Sequence, residues 1–178
     1  MKSDFVHLHT HSHYSLLEAL PKIPELVARA AADGQRVLAL TDNGNLYGAV
    51  EFYKECKKMS VKPIIGVDFH VAPRKRSQKE HRVDDQMSRL VLLAKNEIGY
   101  RNLIQLVSKS HLEGFYYRPR IDRELIEEYR EGLIAILPSY GGEHAHAIRH
   151  GSAARAEEIL RGINIFLNIR EPADVMSK

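Results

Sequence analysis

The chain alternates short apolar runs with longer segments in which apolar residues recur every three or four positions. Short apolar runs bounded by turn residues predict β-strands, and the longer helical spacing predicts amphipathic helices. We predict strands at residues 5–8, 36–41, 62–71, 90–94, 133–137 and 163–169. We predict helices from residue 23 to the turn at Gly34, and at residues 46–59, 99–112, 143–150 and 152–161.

This order of elements predicts an α/β fold. Strands that alternate with helices usually form a mostly parallel sheet with the helices packed outside it. A closed barrel and an open sheet both fit the pattern. Two segments interrupt the alternation, namely a polar insertion at residues 73–88 and a loop rich in Gly, Tyr, Pro and Arg at residues 113–122.

The composition is that of a globular domain in a reducing compartment. Of 178 residues, 44% are hydrophobic and 28% are charged, and a formal net charge of +3 predicts no general affinity for polyanions. A single cysteine, Cys56, excludes an internal disulfide framework. No apolar run reaches the length of a membrane span, and no apolar signal core follows Met1, so we expect a cytoplasmic location.

Four histidines alternate with other residues near the amino terminus: His7, His9, His11 and His13. If the first strand extended this far, its period of two would send all four side chains to one face. Imidazoles that converge at a strand end can bind a metal ion. A polar patch, or core histidines that are each hydrogen-bonded, would fit the same spacing.

Carboxylates occupy matching places along the chain. Glu18 follows the first predicted strand, Asp42 follows the second, and Asp68 lies near the end of the third. In β/α folds, reactive groups gather at the carboxyl ends of strands, so these side chains are candidates for the same site. For each of them alone, a helix cap or a solvated turn is an equally good interpretation.

Five segments carry a resemblance to a known family: HLHTHSHYSLLE (7–18), LALTDNGNLYGAVEFYKECKK (38–58), KPIIGVDFHVAP (62–73), LVLLAKNEIGYRNLIQLVSKSHLEGFYYRPRID (90–122) and EGLIAI (131–136). In this order they resemble the PHP domain at the start of bacterial DNA polymerase III alpha subunits. A bare HxH with TDxG would indicate only the wider PHP superfamily. The NEIGYRNL and EGFYYRPRID segments are more particular to the polymerase branch.

The resemblance implies a fold and a metal site. The expected fold is a distorted (β/α)7 TIM-like barrel, with residues 1–178 as its leading part and the last β/α units absent. Members with a complete site hold up to three zinc or manganese ions at the barrel rim and hydrolyse phosphodiesters. His9 and His11 match the paired histidine ligands of the family, and Glu18 and Asp68 stand at positions of acidic ligands.

Departures from the family pattern imply a degraded site. Where metal-complete members have histidine, histidine and cysteine, this chain has Asn43, Arg89 and Ser139. Asparagine and serine are poor ligands, and arginine is none, although its charge could replace that of a metal. We therefore expect a vestigial site, lined also by His7 and Asp42, with zinc or manganese bound partially or not at all.

The resemblance favours a structural and partner-binding module of the polymerase. Its expected partners are the remaining domains of the alpha subunit, the proofreading exonuclease subunit and, through the parent protein, DNA. The main alternative is a free-standing metallophosphoesterase of the histidinol phosphatase type, and a third possibility is a truncated gene product that folds poorly. The candidates for contact with nucleic acid or a partner are basic and aromatic: Arg74, Lys75, Arg76, Tyr117, Arg118 and Arg120.

Overall fold

A computed structural model describes residues 5–167 of the protein, with side chains to residue 161. The helices are α1 (Ile23–Ala32), α2 (Ala49–Lys58), α3 (Glu97–Leu112), α4 (Arg123–Glu128), α5 (Glu143–Arg149) and α6 (Ala153–Leu167). The strands are β1 (Val37–Leu40), β2 (Lys62–Val71), β3 (Ser88–Ala94), β4 (Arg120–Ile121) and β5 (Leu133–Ile136). Within the described residues, no helix is long and apolar enough to cross a membrane.

The strands form one mixed sheet in the order β1-β2-β3-β5, and the short β4 pairs with the end of β2. β2 is parallel to β1 and β4, whereas β3 is antiparallel to both β2 and β5. The prediction of a mostly parallel sheet is therefore wrong. β2 and β3 are joined by a loop without a helix, and such a connection returns the chain in the opposite direction. The sheet is open in the described part of the chain, and barrel closure is not observed there.

The predicted first strand, residues 5–8, is not a regular strand. Its segment runs beside β1, where the Ala39 and Thr41 amides donate to the carbonyls of His7 and Thr10 at 3.0 and 2.8 Å. The two donor residues are two positions apart, whereas the two acceptor residues are three positions apart, and this extra residue breaks the ladder as a bulge does. The alternation that would align the four histidines is lost with it.

The predicted sixth strand, residues 163–169, is also wrong as far as the structure describes it. α6 continues through this segment to Leu167, and residues 168–169 lie outside the described residues. Ile159, Ile163 and Leu167 recur at every fourth position, which is the spacing of a helix rather than of a strand. The predicted break between α5 and α6 is confirmed, since Gly151 adopts a φ of +78° there.

The two faces of β2 have different surroundings, and this difference positions the site. Val67 and Phe69 are fully buried in the main core, which α3 and α4 cover through Leu103 and Leu125. Because side chains alternate along a strand, Asp68 points to the opposite face of the sheet. A second core joins α1 and α2 to β1.

Arg120 fixes the polar insertion between β2 and β3 to the rest of the fold. Its side chain is fully buried, and its guanidinium donates to the carbonyls of Gly114, Asp84, Arg76 and Gln78, each at 2.9 Å. Every nitrogen of the planar group therefore has a backbone acceptor. The insertion is thus ordered by an arginine that the sequence pattern assigned to a surface.

Asp84 links the same insertion to Arg74. The Asp84 carboxylate accepts from Arg74 Nε at 3.0 Å, Arg74 Nη2 at 2.7 Å and the Glu80 amide at 2.8 Å. The hydrogen bonds from Arg74, partly offset by desolvation, lower the pKa of Asp84 to about 2.

This depressed pKa predicts an acid-sensitive insertion. The unfolded pKa of Asp is about 3.9, so the contribution of Asp84 to stability is complete above that pH and is lost as the pH falls towards 2. We expect Asp84→Asn to lower the melting temperature at pH 7 and to flatten its decline between pH 5 and pH 2. The control is Asp85→Asn, whose carboxylate accepts from the Arg82 amide. Equal pH profiles for the two variants would contradict this role.

A histidine–aspartate–arginine cluster at the end of β2

Asp68 is the centre of the site. It is 1% exposed, and its backbone pairs with the Asp42–Gly44 turn through the Asp68 amide on the Asp42 carbonyl and the Gly44 amide on the Asp68 carbonyl. The antiparallel register places His70 of β2 opposite Arg89 of β3. Asp68, His70 and Arg89 therefore lie on the same face of the sheet.

The Arg89 guanidinium points into the site and forms a bidentate ion pair with Asp68. Nε donates to Asp68 Oδ1 at 2.9 Å, and Nη2 donates to Oδ2 at 2.6 Å. Nη2 also donates to the Asn43 side-chain oxygen, and Nη1 lies 3.6 Å from a Glu18 oxygen. A bidentate arginine–carboxylate pair is among the stronger and more directional ion pairs in proteins. Arg89 is 20% exposed and Asp68 2% by side chain, so the pair is largely shielded from water.

Two of the predicted histidines join this pair. His9 Nε2 lies 2.8 Å from Asp68 Oδ2, and His11 Nε2 lies 3.4 Å from the same oxygen. The two rings meet edge to face with their centroids 4.9 Å apart. One ligand atom from each of His9, His11 and Asp68 falls within 4.8 Å of the others, so the three side chains could hold a metal ion.

The surroundings set the charge of each group. Burial acts to raise the pKa of Asp68, but the close approach of His11 and the hydrogen bonds from His9 and Arg89 outweigh it and hold that pKa well below its usual range. Asp68 is therefore an anion at neutral pH. Burial, followed by the charges of Arg89 and Arg118, lowers the pKa of His70 to about 4, so His70 is neutral.

Arg89 competes with a metal ion for this site. The donor set of two imidazoles and one carboxylate suits zinc or manganese. However, the oxygen that would bind the ion, Asp68 Oδ2, already accepts from Arg89 Nη2 at 2.6 Å. A divalent cation and this guanidinium would compete for the same carboxylate and repel each other. The described arrangement is thus an ion pair at the place where a metal ion would bind.

Glu18 lies at the rim of the cluster. It accepts from Asn43 Nδ2 at 2.7 Å and forms an ion pair with Arg118. Together with Arg89 these contacts connect the first turn of the chain, the Asp42–Gly44 turn and the loop before β4. Among the described residues, the group close enough to share one ion comprises His9, His11 and Asp68, and Glu18 is not part of it.

Three other predicted lining residues are placed elsewhere. Asp42 is buried and accepts from the Ser12 amide and hydroxyl, both at 2.7 Å, and from the Ser15 hydroxyl at 2.6 Å, so it orders the first loop. The His7 ring packs on Phe5, because the bulge ends the alternation. Ser139 is exposed in the turn after β5.

The residues predicted to contact nucleic acid or a partner are partly buried, partly held in ion pairs and partly exposed. Arg120 is buried, so the prediction that it contacts nucleic acid or a partner at the surface is wrong. Arg76 forms ion pairs with Asp122 and Glu113. Arg74 is paired with Glu80 and Asp84, and Arg118 with Glu18. Lys75 and Tyr117 are exposed, and Tyr117 adopts a φ of +59°.

A cleft opens beside the cluster, and three of its lining residues, His70, Asp85 and Met87, were not predicted from the sequence. It encloses about 410 Å³ and is lined by Glu18, His70, Asp85, Met87, Arg89, Tyr117 and Arg118. His70 lies two residues after Asp68, so the alternation of β2 was a signal that could have identified it. Its Nδ1 atom is buried without a hydrogen-bond partner.

The PHP domain family matches residues 7–169, and the chain therefore belongs to that family. Its relatives are DNA polymerase III alpha subunits, which it matches in their amino-terminal region. It is 50% identical over 142 residues to the subunit of Borreliella burgdorferi, and the match covers 79% of this chain and 12% of that protein. It is 44% identical over 161 residues to the subunit of Treponema pallidum, covering 90% of this chain and 14% of that protein.

A less similar alpha subunit matches the same part of the chain. The subunit of Aquifex aeolicus is 40% identical over 164 residues, covering 89% of this chain and 14% of that protein. The chain thus spans only about one eighth of the length of these relatives. Among solved structures, an amidohydrolase from Chromobacterium violaceum matches 88% of this chain and 54% of its own, at 19% identity and a TM-score of 0.44.

Proposed function

We propose that the chain is the PHP module of a bacterial replicative DNA polymerase III alpha subunit and acts there, in the cytoplasm, as a structural and partner-binding part. DNA-templated nucleotide addition would belong to other regions of the parent protein. The observation that carries the structural role is the Arg89–Asp68 ion pair among His9 and His11. It places a fixed cation where a phosphoesterase needs an exchangeable metal ion.

The same ion pair explains how the module would remain ordered without a metal. Asp68 has its charge neutralised by Arg89, and the turn and loop around it are tied together through Asn43 and Glu18. A buried carboxylate needs such partners, since an unpaired one costs several kcal/mol, on the order of 3–5. Arg89 therefore supplies the stabilisation of a metal without its chemistry.

Barrel closure by further β/α units of a longer chain is part of the proposal. A groove of about 510 Å³ crosses the face of the sheet that holds Asp68 and is lined in part by the partly buried or exposed Ile64, Ile134 and Ile136. Additional strands would cover these apolar side chains, and their burial would be favourable. The groove supports a closed barrel in the parent protein.

An exposed leucine turn supports the partner-binding role. Leu16, Leu17 and Leu20 are 78%, 106% and 92% exposed, and Leu17 adopts a φ of +65°, which is rare for a branched residue. The turn contains Glu18, whose ion pair with Arg118 connects it to the loop before β4. Exposed apolar clusters of this kind commonly mark protein interaction surfaces. We assign the turn to contact with another domain of the alpha subunit.

A nuclease assay separates this function from the free-standing phosphoesterase. We expect the purified chain, supplied with Zn²⁺ or Mn²⁺, to release no more nucleotide from 3′-labelled single-stranded DNA than the His9→Ala/His11→Ala variant does. Hydrolysis of p-nitrophenyl phosphate should likewise match that control. Turnover that disappears in the double variant would favour a metallophosphoesterase instead.

A domain replacement tests the polymerase role directly. The matched 79% of this chain is substituted for the aligned segment of about 142 residues in the Borreliella burgdorferi subunit. We expect a soluble chimera that extends primers, and we expect a version with Leu16→Asp and Leu17→Asp to lose extension or solubility. A folded chimera that extends primers equally well with and without the leucines would contradict the assigned contact. A folded chimera without extension would contradict the module itself.

A further inference from the structure

Two histidines of α5 stand one helical turn apart on the surface, far along the chain from the Asp68 cluster. His146 lies within the helix and His150 is its carboxyl-terminal cap. The His150 amide donates to the His146 carbonyl at 3.1 Å, so a closed helical turn separates the two residues. Both side chains are exposed, and their ring centroids are 4.1 Å apart with 41° between the planes.

We propose that His146 and His150 form a second metal site, which binds a late first-row divalent cation such as Cu²⁺. Residues four apart on a helix share a face, and paired histidines at this spacing bind zinc in the HExxH helix of metalloproteases. Neutral imidazole suits copper, nickel and zinc, and copper binds such ligands most tightly among these. Water would complete the coordination, and nothing beyond binding is inferred, because the segment HAIRH lacks the glutamate of that motif.

The surroundings leave this pair accessible. α5 packs against α6 through Ala147, Ala156 and Ile159, all buried, while the histidines remain outside that contact. Arg149 is the cation nearest in sequence, and its guanidinium lies 5.8 Å from the centroid of the Tyr140 ring. The end of a helix also favours positive charge, because its last carbonyls lack partners within the helix.

Two imidazoles on one turn act as a chelate. Once one ring has bound the ion, the second binds within the same molecule at a high effective concentration. Such linkage raises affinity by a factor of about 100 over a single group. The affinity for Cu²⁺ should therefore depend strongly on the four-residue spacing and not on the number of histidines.

Paramagnetic broadening by Cu²⁺ resolves this site from the Asp68 cluster in one experiment. Cu²⁺ is titrated into the ¹⁵N-labelled full chain, and the amide signals of residues 144–151 are followed separately from those of residues 7–12. We expect the α5 signals to broaden at substoichiometric Cu²⁺ and to recover with EDTA. His146→Ala and His150→Ala should each require about 100-fold more Cu²⁺ for the same broadening.

A matched variant keeps the number of histidines in the pair but changes their spacing. Because Ile148→His would stand four residues after His144, this variant and its reference protein both carry His144→Ala. In that background, His150→Ala combined with Ile148→His leaves two histidines two residues apart, on different faces of the helix, and Ile148 is 58% exposed, so the exchange alters no core contact. We expect this variant to behave like the single variants, with an unchanged circular dichroism spectrum. Broadening at α5 equal to that of the wild type, or no broadening at α5 in the wild type, would overturn the proposal.

Discussion

Replacing Arg120 by methionine is expected to lower the free energy of unfolding by about 3–5 kcal/mol, among the largest effects of any single substitution in this chain. Methionine fills a similar volume but leaves the carbonyls of Gly114, Asp84, Arg76 and Gln78 without their donor. Buried acceptors that lose their partner retain the full cost of desolvation. The measurement is urea unfolding followed by circular dichroism.

The control for this substitution is Arg101→Met. Arg101 is 75% exposed and pairs with Glu97 one helical turn away, an arrangement that contributes little to stability. We expect its unfolding midpoint to stay close to that of the wild type. A similar midpoint for Arg120→Met and Arg101→Met would show that the insertion is held by other contacts.

Replacing Arg89 by methionine is expected to destabilise the fold by a comparable amount, about 3–5 kcal/mol, because it leaves Asp68 charged and buried. His9 and His11 remain near the carboxylate, but neither supplies a permanent charge. Zn²⁺ should raise the melting temperature of Arg89→Met far more than that of the wild type, since an ion that binds only the folded state stabilises it.

The double variant Arg89→Met/Asp68→Asn provides the control. Removing both charges avoids the unpaired carboxylate, so we expect the double variant to be more stable than Arg89→Met alone. It should also lose the response to Zn²⁺. A double variant that is less stable than either single variant would mean that the pair contributes through packing rather than through charge.

The sequence pattern predicts the elements that are long and locally encoded. β2 matches its predicted bounds, 62–71, because an apolar run ends at Pro73. α3 begins at Glu97 rather than at Gly99, since Asn96 caps it by accepting from the Gly99 amide at 3.0 Å. The two-residue β4 depends on its pairing with β2, and no local pattern indicates it.

Of the four residues predicted as metal ligands, the structure brings His9, His11 and Asp68 together and leaves Glu18 at the rim of the cluster. The alternating histidines and the place of Asp68 near a strand end indicated one position, and Arg89 at a family ligand position suggested a charge there. The direction of Arg89 depends on the antiparallel register between β2 and β3, which is a long-range property of the sheet. His7 departs from the cluster because of a one-residue bulge beside β1, and periodicity alone cannot reveal such a bulge.

Metal affinity at the Asp68 cluster tests the central claim, that Arg89 occupies the place of a metal ion. Zn²⁺ binding is measured by titration calorimetry for the wild type, for Arg89→His and for Arg89→His combined with His9→Ala. The account predicts that Arg89→His binds Zn²⁺ on the order of 100-fold more tightly than the wild type, because it removes a repelling charge and adds a ligand. The gain should disappear with His9→Ala. Equally tight binding by the wild type and Arg89→His, lost in both with His9→Ala, would show that Arg89 does not exclude the metal.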